Sequence, residues 1–139
     1  MNYFQDFENG LDGWGFTQSD GKIVQEKGGN HYITGDEYVT DYSVAKIFKL
    51  PFAEDLPVTV KFKIKVPLGV DLTDLVCILN ENDYKPLSPP DGDDQWHSYE
   101  VAFPPPPQTS QFPKVRISAI EQGENPPHGL GFDDIEIIQ

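Results

Sequence analysis

The sequence is poor in cysteine, in basic residues and in long apolar runs. Its single cysteine, Cys77, cannot form a disulfide bond within the chain. No apolar run approaches the ~20 residues that a membrane-spanning helix needs. Ten Lys and Arg stand against 23 Asp and Glu, and the resulting net charge of −13 disfavours binding to the phosphates of nucleic acid.

The N-terminus, MNYFQDFENG, also lacks the basic start and apolar stretch of a signal peptide. The chain is therefore either intracellular or a domain taken from a longer secreted or cell-surface protein, and we expect the second.

Long helices have little room, because 13 prolines and 12 glycines interrupt the chain. A period of two residues is present instead. Residues 58–66, VTVKFKIKV, alternate apolar and polar side chains as an antiparallel strand with one buried face does. The same alternation occurs over residues 96–103 and 114–120.

Other segments fit the same architecture. Residues 74–79 are apolar on both faces, which favours an interior strand and makes Cys77 a buried, unreactive thiol. Further strands are expected at residues 3–7, 14–18, 22–26, 31–34 and 43–50. Many short strands separated by turns predict an all-β sandwich, and 139 residues predict a single domain spanning 1–139.

Catalytic motifs are missing from the sequence. It contains no G-x-S-x-G, no H-E-x-x-H and no glycine-rich phosphate loop. His31, His97 and His128 are far apart and show no metal-ligand spacing. The sequence does not exclude a pair of catalytic carboxylates of the glycosidase type, because 23 acidic residues guarantee chance pairs. We expect the chain not to be an enzyme.

The C-terminal segment LGFDDIEIIQ poses a physical problem. If residues 130–139 form a regular strand, Asp133 shares a face with Ile135 and Ile137. A carboxylate buried there without a partner is costly. The acidic loops of the chain fit solvated turns, but they also fit Ca²⁺, which takes carboxylate and carbonyl oxygens as ligands.

Two family resemblances cover most of the chain. DFENGLDGW, residues 6–14, and GFDDIEII, residues 131–138, resemble the opening and the closing of jelly-roll carbohydrate-binding modules with the galactose-binding-like fold. GGNHYITGDEY, residues 28–38, and WHSYEVAF, residues 96–103, resemble segments of a laminin type IV (laminin B) domain. Both resemblances imply a jelly-roll β-sandwich of two antiparallel sheets.

The resemblance to carbohydrate-binding modules also implies a structural Ca²⁺ at one edge of the sandwich. Carried over by position, its ligands are Glu8, Gly28, Asn30 and Asp133. Strand parity points Asp134 outward and makes it the weaker candidate. The alternative is that Asp133 accepts hydrogen bonds from nearby backbone amides.

For function, the resemblances imply a non-catalytic carbohydrate-binding or adhesion module. The alternative is a laminin-like structural module that joins protein partners and binds no sugar. We expect a monomeric domain in which Trp14 and Trp96 belong mostly to the core. Candidate ligand contacts are polar residues and tyrosines of acidic loops, although the same tyrosines also suit a wet loop without a ligand. They are Tyr38, Tyr42, Asn80, Asn82 and Tyr84.

Overall fold

A computed structural model describes residues 2–16, 21–35, 41–106, 112–122 and 129–139, without the side chains of Asp41 and Gln122. Within these ranges the chain forms eleven strands. They are β1 (Asn2–Gln5), β2 (Gly15–Phe16), β3 (Lys22–Gln25), β4 (His31–Thr34), β5 (Asp41–Ile47), β6 (Val58–Lys65), β7 (Asp71–Leu79), β8 (Asp83–Leu87), β9 (Trp96–Phe103), β10 (Lys114–Gln122) and β11 (Gly131–Ile138). Over the same ranges no helix is long and apolar enough to cross a membrane.

The strands form two antiparallel sheets, as predicted. The six-stranded sheet has the order β3-β4-β11-β6-β9, and β1 pairs with the C-terminal half of β11. The five-stranded sheet has the order β2-β5-β10-β7-β8. The two sheets pack face to face, so the all-β jelly-roll sandwich is confirmed.

Alternation of side chains builds the core between the sheets. On β6, Val58, Val60, Phe62 and Ile64 are buried, whereas the intervening lysines stay partly exposed. Cys77 on β7 is fully buried, and burial raises the pKa of its thiol to about 12. The prediction of an unreactive structural cysteine is therefore confirmed.

Several predicted strands have the expected bounds, and others differ. Residues 31–34 and 96–103 form strands as predicted, but the first strand ends at Gln5 and the fifth ends at Ile47. The segment 81–84, predicted to be an acidic loop, instead leads into strand β8.

A β-bulge near the start of β11 corrects the prediction for Asp133. The pairing register with β6 shifts between Asp133 and Glu136, and Asp134 has a φ of 46°. The bulge inserts an extra residue, so the side chains before it change face relative to those after it. Phe132 therefore packs in the core with Ile135, whereas Asp133 lies opposite Lys63 on the outer face.

Candidate functional site

A straight row of side chains crosses the outer face of the five-stranded sheet. Tyr84 on β8 lies opposite Ile78 on β7, and Ile78 lies opposite Arg116 on β10. Arg116 in turn lies opposite Ala45 on β5. Directly opposed residues of antiparallel strands project from the same face. At a strand spacing of about 4.8 Å, this cross-strand row is about 14 Å long.

A second row runs parallel to the first, two residues further along each strand. It consists of small or apolar side chains, namely Pro86, Val76, Ser118 and Ser43. Ser43 Oγ donates to Ser118 Oγ at 3.1 Å. Pro86 and Val76 are at least partly exposed, whereas Ser43 is fully buried and Ser118 is only 7% exposed, so the two hydroxyls are not available at the surface.

The charged centre of the cross-strand row is an Arg116–Glu81 pair. Arg116 Nε donates to Glu81 Oε1 at 3.0 Å and Arg116 Nη2 donates to Oε2 at 2.9 Å. Lys114 Nζ lies 2.9 Å from Glu81 Oε1. These donors, Arg116 first, lower the pKa of Glu81 to about 2. Since bidentate charge-assisted bonds fix both partners, the pair holds its orientation on the sheet face.

The turn between β7 and β8 positions this pair. The Asn82 N–H donates to the Leu79 carbonyl at 3.2 Å, and the two central residues, Asn80 and Glu81, have φ values of 54° and 58°. Positive φ at both central positions is the type I′ pattern of hairpins. The Asn80 side-chain oxygen accepts a bond from the Lys114 N–H at 2.9 Å, which ties the turn to β10.

Tyr84 stands at the β8 end of the row. Its hydroxyl donates to the Glu81 carbonyl at 3.1 Å. The residue is nevertheless 54% exposed, so much of its ring is available for contact with a ligand. An exposed aromatic ring beside paired ionic groups can contact both the apolar faces and the hydroxyls of a sugar.

The predicted ligand residues have different positions in the structure. Tyr84 belongs to the cross-strand row, and Asn80 and Asn82 belong to the turn beside it. Tyr42 was predicted to contact a ligand, but this is wrong because its side chain is fully buried on β5 and packs against Phe16. Tyr38 lies outside the described residues.

Sequence reasoning missed Arg116 and Glu81 as site residues. The only signal for Arg116 was its outward position in the alternating segment KVRISAI. No local pattern links it to Glu81, which lies 35 positions earlier in the chain.

Around Trp96, the outer face of the six-stranded sheet is filled by packing and ion pairs. Trp96 and Tyr32 meet edge to face over Gly131, where a Cβ atom would lie 2.8 Å from the Tyr32 ring. Trp96 Nε1 donates to Glu26 Oε1 at 3.1 Å, and Lys65 Nζ lies 2.9 Å from Glu26 Oε2.

The two tryptophans therefore differ. Trp14 is a core residue, as predicted. Trp96 was predicted to be core, but this is wrong, because it shares the outer face with Lys65 and is only partly buried.

Two of the four predicted calcium ligands, Asn30 and Asp133, contact each other at one edge of this sheet, and a third, Glu8, contacts the neighbouring residue His31. Glu8 Oε1 accepts a bond from the His31 N–H at 3.0 Å, and the His31 ring contacts the other oxygen of Glu8. Asn30, the neighbour of His31, donates from Nδ2 to Asp133 Oδ2 at 2.8 Å. Gly28 lies in the preceding turn with a φ of 112°. The carboxylates of Glu8 and Asp133 thus flank the same dipeptide.

Asp133 is satisfied by hydrogen bonds in this arrangement. Besides the Asn30 amide, the Asp134 N–H donates to Asp133 Oδ1 at 2.8 Å. Only 3% of the residue is exposed, and this burial raises its pKa to about 6.

The residues at this edge also suit a hard cation. Carboxylate, amide and carbonyl oxygens are the ligands of Ca²⁺. Each carboxylate oxygen can accept more than one bond, so Asp133 retains capacity for a ligand. Among the described residues, however, no group of three or more His, Cys, Asp or Glu side chains is arranged to hold a metal ion.

The sequence matches no protein-family model and no curated protein. Solved structures do match over nearly the whole chain. A CBM22-2 xylan-binding domain from Paenibacillus barcinonensis Xyn10C is 16% identical, with a TM-score of 0.69, 97% of this chain covered and 97% of that one. A family 16 carbohydrate-binding module has 15% identity and a TM-score of 0.68, with 97% of this chain covered and 96% of that one.

A third match has a sugar bound. TmCBM61 in complex with β-1,4-galactotriose is 16% identical, with a TM-score of 0.64, 97% of this chain covered and 94% of that one. At these identities the likeness concerns the fold. The structural neighbours of the chain are jelly-roll carbohydrate-binding modules, as one of the two sequence resemblances predicted, and the chain has their fold.

Proposed function

We propose that the protein is a non-catalytic carbohydrate-binding module that binds its ligand on the outer face of the five-stranded sheet. The observation that carries this proposal is the cross-strand row, in which exposed Tyr84 lies beside the Arg116–Glu81 pair on the outer face of the sheet. Aromatic faces stack on sugar rings, and ionic and hydroxyl groups bond sugar hydroxyls.

The structural neighbours support this proposal. Their descriptions name xylan and β-1,4-galactotriose as ligands of two of them. Similar modules are found beside catalytic domains, as in the Clostridium thermocellum xylanase Xyn10B. We therefore propose that this chain works as a binding domain of a larger extracellular protein. The laminin-like alternative stays a prediction, since the described contacts give it no separate support.

Binding to immobilised and soluble polysaccharides tests the proposal. The native protein should be retarded in gels that contain xylan, β-1,4-galactan or another glycan selected on a broad array. Tyr84→Ala should weaken binding by about tenfold or more, because an aromatic ring that stacks on a sugar carries a large share of the binding energy.

Phe4→Ala is the matched control, because Phe4 is 57% exposed on the other sheet against 54% for Tyr84. This variant should bind like the native protein. Equal loss of binding in both variants, or no binding of the native protein to any glycan, would contradict the proposal.

We also propose a structural Ca²⁺ held by Glu8, Asn30 and Asp133, with the Gly28 carbonyl as the fourth protein ligand. The ion would supply positive charge to two carboxylates at one edge of the sandwich. The contact of Asn30 with Asp133, and that of Glu8 with the adjacent His31, support this proposal. The effect of calcium on the melting temperature of the protein tests it.

A further inference from the structure

A groove continues from the cross-strand row beyond the edge of the five-stranded sheet. Gly15, on edge strand β2, lies opposite Ala45, the last residue of the row. A depression of about 300 Å³ opens there and adjoins a second one of about 530 Å³. The two share Gly13, Lys46 and Ile47, so we describe them together as the edge groove.

The passage from the row into the edge groove is clear because residue 15 has no side chain. Apart from Gly15 itself and the two adjoining residues, no atom of the described part of the chain lies within 4 Å of the place where a Cβ atom on Gly15 would stand. That Cβ would project from the same face as Ala45, its partner in the register. A glycine weakens a strand, and one of its uses there is the close approach of a ligand to the backbone.

The lining of the edge groove combines apolar surface with paired polar groups. Ile47 is 60% exposed. The Tyr3 hydroxyl donates to Asp12 Oδ2 at 2.9 Å. Lys46 Nζ lies 3.7 Å from the same oxygen and 5.6 Å from the centre of the Tyr3 ring. Donors and acceptors beside apolar surface suit the hydroxyls and ring faces of a sugar.

The charge of the whole molecule disfavours a polyanionic occupant, although three lysines line the edge groove. Lys46 is paired with Asp12 and Lys114 with Glu81, whereas Lys49 lines the larger part of the groove. The whole chain carries a net charge of −13, which would repel a polyanion. A neutral sugar chain avoids this repulsion.

We propose that the edge groove is an additional subsite, occupied by the continuation of a neutral polysaccharide whose preceding units lie on the cross-strand row. This inference rests on the proposed function of that row. The ligand is then bound lengthwise, as an internal stretch of a polymer. Affinity should therefore rise with chain length until both the row and the edge groove are filled.

Calorimetric titration with oligosaccharides of two lengths tests the subsite. The probes are xylotriose and xylohexaose, with β-1,4-galactotriose and a longer galacto-oligosaccharide as the second series. In the series that binds, the native protein should prefer the longer probe by about tenfold, the equivalent of about 1.4 kcal/mol.

Gly15→Val places a side chain in the passage, and valine is a residue that strands favour. It should reduce the affinity for the longer probe to that for the shorter one. Ile47→Ala, at an exposed position that should tolerate truncation, should reduce the same preference severalfold. Leu68→Ala is the matched control, since Leu68 is 79% exposed on a loop that does not line the groove, and it should bind like the native protein.

The outcomes separate the two proposals. Equal affinity of the native protein for both lengths, or an unchanged length preference in Gly15→Val and Ile47→Ala, overturns the subsite and leaves the row as the site. If the array selects a different glycan, its oligosaccharides of two lengths replace these probes. Failure of the native protein to bind any glycan overturns the proposed function itself, and the subsite with it.

Discussion

Gly92 allows the backbones of two loops to pack closely against each other. A Cβ atom at this position would lie 2.1 Å from the Val70 carbonyl oxygen and 2.7 Å from that of Pro67. The Gly69 N–H also donates to the Gly92 carbonyl at 3.0 Å. The loops that precede β7 and β9 therefore touch backbone to backbone, and only glycine allows this contact.

We predict that Gly92→Ala destabilises the protein by about 1–3 kcal/mol or more, because the backbone has to move to relieve the overlap. This corresponds to a melting temperature lower by several degrees. Gly15→Ala is the control, because no described atom beyond Gly15 and its adjoining residues lies within 4 Å of the added methyl group. Thermal unfolding followed by circular dichroism checks both, and equal melting temperatures for Gly92→Ala and the native protein would contradict the steric argument.

The lowered pKa of Glu81 predicts how the stability of the fold depends on pH. Its donors, Arg116 first and then Lys114, lower its pKa from 4.5 to about 2 in the folded protein. A carboxylate with a lowered folded-state pKa stabilises the fold above the unfolded-state pKa, and this stabilisation is lost as the pH falls through the folded-state pKa.

Glu81 should therefore contribute stability above about pH 4.5 that disappears as the pH falls towards about 2. Glu81→Gln should flatten this part of the curve of melting temperature against pH. If the melting temperature depends on pH in the same way in the native protein and in Glu81→Gln, other carboxylates cause the loss of stability in acid.

At the scale of elements, regular strands could be predicted from the sequence and irregular ones could not. The alternation of apolar and polar residues along β6 and β9 correctly predicted both the strands and their buried faces. Strand β8 was missed because Asp83–Leu87 has few apolar residues and includes Pro86. Proline is tolerated there because β8 is an edge strand with only β7 as a neighbour.

The errors at the site have similar physical causes. Tyr42 follows an acidic segment and was placed in a loop, yet the alternation of Tyr42 and Val44 marked a buried strand face. The bulge at Asp134 moved Asp133 to the outer face, and no rule of period two can locate such an inserted residue. The Arg116–Glu81 pair depends on the pairing of β7 with β10, a contact between distant parts of the chain.

Over the described part of the molecule, the two outer faces differ in their side chains. The lysines of β6 on the six-stranded sheet are matched with acidic partners, as in the 2.8 Å pair of Lys63 with Asp134. Trp96 and Tyr32 cover the end of that face. The five-stranded sheet instead presents exposed Tyr84 and a groove at its edge. This asymmetry is what favours the five-stranded sheet as the binding surface.

The proposed calcium ion would act on the whole molecule because its ligands come from distant parts of the chain. Glu8 follows β1, Asn30 precedes β4, and Asp133 lies near the start of β11. The ion binds the folded state only, so it should stabilise the protein by about 2.7 kcal/mol at a hundredfold excess over its dissociation constant. For a domain of this size, that is a rise in melting temperature of several degrees.

The measurement compares melting temperatures in chelator and in millimolar calcium, at a pH well above the Asp133 pKa of about 6. Chelator should lower the melting temperature and leave the fold intact, because the apolar core does not depend on the ion. Asp133→Asn keeps the shape of the side chain and should abolish the calcium-dependent part. Asp134→Asn, whose carboxylate is paired with Lys63 instead, should keep it. If native protein melts at the same temperature in chelator and in calcium, Asp133 is held by Asn30 and the Asp134 N–H alone, and the proposed ion does not bind.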